Sequence, residues 1–155
     1  MVSETFPADP AACSRLGGAL RSLAQRLAEV AVDLADGALR RDVEATLSTL
    51  DMIGGLVQGH AQDLSEVAAS SRRLAERAQA VGLQVSEGRV VEPLGPVSAD
   101  AARRRLAAQP GLQGQADRIA SRIGKARAGL TRALDQAGRD LEVCTARVSD
   151  GLRTG

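Results

Sequence analysis

Leu16, Leu20, Leu23, Leu27, Val30 and Leu34 are separated by alternating steps of four and three residues. At 3.6 residues per turn this spacing lines them along one side of a helix. The pattern predicts an amphipathic helix over 12–35, ended by Asp36-Gly37 as a helix-hairpin turn, because glycine accepts the left-handed conformation that closes helices. A second run keeps the period: Val43, Leu50, Ile53, Val57, Leu64, Val67, Leu74, Ala78 and Val81 follow a heptad seam over 38–81, as in a coiled coil, with His60 and Ser71 as its polar positions. A third stripe runs over 111–149 through Leu112, Ala116, Ile119, Ile123, Ala126, Leu130, Leu134, Ala137, Leu141, Cys144 and Val148. At ~1.5 Å per residue the first helix is roughly 35 Å long and the second roughly 65 Å, so the first covers only part of the second and the last supplies the missing cover.

Between the second and third stripes lies the one non-helical insert. Leu83-Gln84-Val85-Ser86, Glu87-Gly88 and Arg89-Val90-Val91-Glu92 read as a short hairpin, followed by Pro93, Gly95 and Pro96. Ser98-Ala99-Asp100 is a cap for a short helix over 99–108, which Pro110-Gly111 breaks or kinks. The expected fold is therefore all-α: an antiparallel bundle of three long helices plus one short helix, with a small hairpin-like insert near 83–97. Residues 1–11 read as an irregular leader, 12–149 as a single domain and 150–155 as a C-terminal tail. Gly54, Gly55 and Gly59 fall in the middle of the second helix, where each costs about 1 kcal/mol relative to alanine. The helix bends there or a neighbour comes close, and the Gly55-x-x-x-Gly59 spacing reads as close packing.

Composition narrows the chemistry. Phe6 is the sole aromatic residue, so the core is aliphatic, and 155 residues make one domain of ordinary size. One histidine and two cysteines exclude a multi-ligand zinc site and a disulfide scaffold. In an antiparallel bundle Cys13 and Cys144 are offset by roughly 15–20 Å, beyond the ~7 Å reach of a disulfide, and both are expected as free thiols. His60 has Asp63 and Glu66 nearby on its helix, a two-ligand set at most, and reads as a seam histidine. No glycine-rich phosphate loop follows a strand, no G-x-S-x-G occurs, and no carboxylate pair is singled out. The expectation is a non-enzymatic protein without metal, cofactor or small-molecule substrate.

The N-terminus lacks the basic start and apolar run of a cleavable signal peptide, and Ala11-Ala12-Cys13 lacks the apolar segment that precedes a lipoprotein cleavage site. No uncharged stretch is longer than Met52 to Gln62, which is far short of the ~20 residues of a membrane-spanning helix. Net charge is +1, but residues 1–82 carry 8 basic and 11 acidic side chains and residues 83–155 carry 12 and 8. Lys125 is the only lysine among twenty basic residues, which with the alanine-rich composition suggests a high-GC bacterial source. Arg118, Arg122, Lys125 and Arg132 flank the third apolar stripe and form a candidate partner-binding face. Pairing with Asp42, Asp51, Asp63, Glu66 or Glu76 across the bundle, or docking on an acidic protein, suits it better than nucleic acid, because the stripe offers no aromatic partner for base stacking and the chain no reading motif. The alternative function is a cytoplasmic helical scaffold or nucleic-acid-associated protein using this stripe.

Ser14-Arg15-Leu16-Gly17-Gly18-Ala19-Leu20, Gln58-Gly59-His60-Ala61-Gln62-Asp63-Leu64, Arg73-Leu74-Ala75-Glu76-Arg77-Ala78 and Gly82-Leu83-Gln84-Val85-Ser86-Glu87-Gly88-Arg89-Val90-Val91 together resemble actinobacterial proteins related to the WXG helical-hairpin family. That family comprises small proteins of type VII secretion and the N-terminal modules of larger exported proteins. The resemblance spans most of residues 12–140 and is carried mainly by 58–91. It implies a helical hairpin that associates as a homo- or heterodimer through a helix face, in the cytoplasm or secreted by a type VII system. Where the family has Trp-x-Gly in its hairpin turn, this chain has Asp36-Gly37, with Gly37 the one residue carried over. It has no tyrosine for the export signal common in the family, a tyrosine three residues before an acid.

Overall fold

The computed structural model describes residues 9–33 and 37–154. Three helices and one hairpin follow in chain order: α1 (Pro10–Ala31), α2 (Gly37–Ala80), β1 (Gln84–Ser86), β2 (Arg89–Val91) and α3 (Ala99–Thr154). The chain is all-α apart from this two-stranded sheet. Asp9 opens α1, its Oδ1 accepting from the Ala11 N–H at 2.9 Å ahead of Pro10 in the first turn. The helix ends at Ala31, earlier than the apolar spacing predicts. Of the expected turn, Asp36 lies outside the described residues, as do leader residues 1–8, and Gly37 is the first residue of α2.

The chain divides into two compact units, Met1–Gln62 with Arg127–Gly155, and Asp63–Ala126. In the second unit α2 ends in a Schellman turn. The Leu83 N–H bonds to the Ala78 carbonyl at 2.8 Å and the Gly82 N–H to the Gln79 carbonyl at 2.9 Å, with Gly82 at φ 77°. That turn drops Leu83 back onto Ala78, and both are almost fully buried with Leu74, Val90, Leu112 and Ala116. Glycine is required there by its conformation, and a methyl group on Gly82 would also displace the Arg105 guanidinium, which it would meet at 2.8 Å. The Arg105 cation sits at the C-terminal end of α2, where the helix dipole is negative.

The hairpin forms as its residues predict. Glu87 (φ 51°) and Gly88 (φ 76°) make the tight two-residue turn, and the register pairs Gln84 with Val91, Val85 with Val90 and Ser86 with Arg89. In this register the N–H and C=O of Val90 point away from β1. The side chains of α3 satisfy them: the Val90 N–H donates to Gln113 Oε1 at 2.8 Å, and Gln109 Nε2 donates to the Val90 carbonyl at 3.2 Å. Two glutamines one turn apart thus act as the missing neighbour strand.

This docking explains a departure from the sequence reading. Of the break or kink expected at Pro110-Gly111, the break is absent: the short helix 99–108 and the last helix are one continuous α3 with Pro110 inside it. The Ser98 hydroxyl does cap the start, accepting from the Ala101 N–H at 3.3 Å. Proline removes one backbone donor and costs about 3 kcal/mol in a helix interior. Here it lies on the exposed side, as does Leu106, whose carbonyl loses its partner, so water can reach that group. On the opposite side Ala108, Gln109, Leu112, Gln113 and Ala116 are packed or bonded to the hairpin and α2. Apolar burial of a leucine contributes about 2 kcal/mol, and these contacts together offset the proline.

Replacing Pro110 by alanine should raise stability by up to about 3 kcal/mol, read as a higher urea midpoint in far-ultraviolet circular dichroism. A chain whose helix stopped at 110 would gain nothing. Gly82→Ala should lower the midpoint by about 1 kcal/mol or more, through the strained φ and the Arg105 contact.

Candidate functional site

The seating of α1 in the first unit determines which side chains remain available. Its buried residues are Gly17, Ala24 and Ala31, one every seven positions. A methyl group on Gly17 would lie 2.6 Å from the Gly54 carbonyl oxygen, and one on Gly54 would lie 2.8 Å from the Gly17 carbonyl oxygen and 2.5 Å from Arg21 Cγ. The two backbones therefore approach through reciprocal glycines. Gly55 and Gly59 face open space, so the close packing expected of that pair belongs instead to Gly54 with Gly17. Arg21 fixes the register from the flank, donating from Nε to Asp51 Oδ1 at 3.0 Å and from Nη1 to Gln58 Oε1 at 3.3 Å. The order of contacts, residue 17 against 54 and residue 21 against 51, makes α1 antiparallel to this part of α2.

Because the small residues face inward, the large ones beside them do not. Leu16, Leu23 and Val30 each precede a buried small residue, and with Leu27 they are 56, 40, 68 and 42% exposed. The predicted core stripe of α1 is thus rotated by about one residue, roughly 100° around the helix, toward solvent. Leu20 is half-buried, and Leu34 lies outside the described residues. The stripes of α2 and α3 do face inward as expected, except that Ser71 is exposed.

Next to this exposed row lies an apolar groove of ≈ 400 Å³, walled by Leu27 and Val30 of α1, Leu39, Val43 and Leu47 of α2, and Val148 of α3. The 3.4 Å approach of Leu39 to the space beside Gly151 places the start of α2 beside the end of α3 here. Row and groove share Leu27 and Val30, so the exposed apolar surface of α1 runs into the groove on this unit.

The remaining candidates fall elsewhere. Of the basic stripe, Arg118, Arg122 and Lys125 belong to the second unit and Arg132 to the first, all exposed. Arg122 is bonded to Glu66, the cross-helix pairing expected for this stripe. Arg118 instead faces a furrow that it shares with Arg73 and Arg77 of α2. No reading of α3 alone could find those two arginines, because only the antiparallel register of α2 and α3 brings them there. His60 is buried in α2, and Cys13 and Cys144 are half-buried free thiols. Among the described residues no cluster of three or more His, Cys, Asp or Glu side chains is placed to hold a metal ion, and no helix is long and apolar enough to cross a membrane. Comparison of the chain with family models, curated proteins and solved structures finds no match.

The reciprocal glycine contact predicts opposite effects at adjacent positions. Gly54→Ala should destabilise the protein, since the added methyl group has backbone on one side and Arg21 on the other. Gly55→Ala should stabilise it by up to about 1 kcal/mol. Equal midpoints for the two variants in urea would contradict this seating of α1.

Proposed function

We propose that this protein is a non-enzymatic helical interaction module whose binding surface is the exposed apolar row of α1 with its adjoining groove. The observation that carries the reading is the outward placement of Leu16, Leu23, Leu27 and Val30. Apolar surface left in water costs ~25 cal/mol per Å², so covering such a row favours association. The occupant we infer is a helix of a second small helical protein. The four- and three-residue spacing of the row is that of a coiled-coil seam, which takes a partner helix along its length. The resemblance to the WXG helical-hairpin family supports the same mode of association and extends it to a role as a type VII secretion substrate or partner.

The test is expression of the tagged chain in an actinobacterial host with a type VII system, followed by identification of what co-purifies from cells and medium. Detection must use the tag, because the chain has neither tryptophan nor tyrosine. The expected result is a stoichiometric small helical partner, lost when Leu23 and Leu27 are both replaced by glutamine while helix content and urea midpoint stay close to the parent. Retention of that partner by the double variant would refute the α1 face as the binding surface. Recovery from cells alone with nucleic acid would refute the interaction reading in favour of the basic stripe.

A further inference from the structure

In the second unit the antiparallel α2 and α3 leave a surface furrow with two compartments. The first, ≈ 290 Å³, is ringed by Arg73 and Arg77 of α2 and Arg118 of α3 over a floor that includes Leu74 and Ile119. The second, ≈ 300 Å³, is lined mainly by Val81, Ala107, Ala108 and Leu112. Arg77 and Gln115 line both compartments, and the Arg77 Nη1 to Gln115 Oε1 hydrogen bond of 2.9 Å spans the boundary between them.

The charge of the first compartment is uncompensated. Arg73 bonds to the Ser70 hydroxyl at 3.2 Å and Arg77 to the Gln115 amide, both neutral acceptors, and none of the three arginines forms an ion pair with a described residue. Arg122, farther along α3, is by contrast engaged by Glu66. Guanidinium groups without an ion-pair partner are available to a carboxylate, and their planar donor sets match it bidentately. A bare anion would leave the apolar compartment uncovered, and a nucleic acid would find no aromatic side chain in the described furrow to stack on.

We propose that this furrow binds an extended acidic peptide segment of a partner protein, its carboxylates on Arg73, Arg77 and Arg118 and an aliphatic side chain in the compartment beside Val81 and Leu112. The compartments are centred roughly 9–12 Å apart along the helices, the span of about three residues of extended chain. The segment therefore carries its acids about three residues from its aliphatic anchor. Gln115 yields Arg77 to the incoming carboxylate, exchanging a neutral hydrogen bond for a charged one. The proposal shares with the preceding reading only the premise that the chain binds proteins, and it uses a different surface.

The experiment is fluorescence anisotropy of the full chain with a labelled synthetic peptide, two adjacent glutamates followed three residues later by leucine in a glycine-serine background. Binding should weaken about tenfold or more when Arg73 and Arg118 are both changed to glutamate, and likewise when the peptide glutamates become glutamine or its leucine becomes serine. Changing Arg127 and Arg132 to glutamate alters net charge equally outside the furrow and should leave affinity within about twofold. Absence of binding by the parent chain, equal losses in the two charge-reversed variants, or undiminished binding of the peptide without leucine would each overturn the proposal. The Leu23→Gln, Leu27→Gln variant should bind the peptide normally, so that failure of the α1 surface and failure of the furrow are read separately.

Discussion

Small side chains in the interior force helices to approach closely, and most of this structure follows from that constraint. With no aromatic residue among its described residues, the protein fills space by bringing backbones together, and Ala24, Ala31, Ala61, Ala78, Ala116 and Ala137 are all buried. The limit is reached where Gly17 and Gly54 each occupy space that a Cβ on the other helix would need. A helix seated on such residues cannot also turn its leucines inward. The exposed row of α1 is therefore a consequence of how α1 is anchored.

The second unit meets the same shortage of bulk differently. Its core includes one almost fully buried leucine, Leu83, placed by the Schellman turn at the end of α2, and the hairpin that follows supplies Val90 as a further lid. A two-stranded hairpin is marginal by itself because its outer backbone groups go unpaired. Gln109 and Gln113 remove that weakness, and in doing so they hold α3 helical on both sides of Pro110. Gln113 also donates to Asp117 Oδ1 at 2.8 Å, so a single side chain joins the strand to the next turn of the helix.

Charge is distributed by the same register. Cross-helix acids neutralise some arginines, as Asp51 does Arg21 and Glu66 does Arg122, though such half-exposed pairs contribute only about 0–1 kcal/mol each. Arg73 and Arg77 are left against neutral partners, with Arg118 beside them, in a furrow with an apolar floor. The apolar face of α1 and this cationic furrow lie on different units.

Much of the fold was legible in the amino-acid order, because the signals involved are local. The 3.6-residue period marks α2 and α3, Ser98 marks a helix start, and Glu87-Gly88 between short apolar runs marks the hairpin; each depends on residues within a turn or two of one another. Periodicity also identifies an apolar side of α1, but it cannot say whether that side faces a neighbour or water. The answer lies in Gly54, over thirty residues away, which admits Gly17 and so rotates the leucines outward. Proline at 110 reads locally as a breaker, yet contacts from Val90 outweigh its cost. In the same way the arginines of α3 are visible as a stripe, while their division into a paired Arg122 and an unpaired furrow group is decided by which residues of α2 stand opposite. Sequence alone determined the helices, the turns and the aliphatic character of the interior, since these follow from backbone preference and side-chain type. Tertiary structure alone decided which faces are covered and which cations are neutralised, since both depend on the spacing and register of helices distant in the chain.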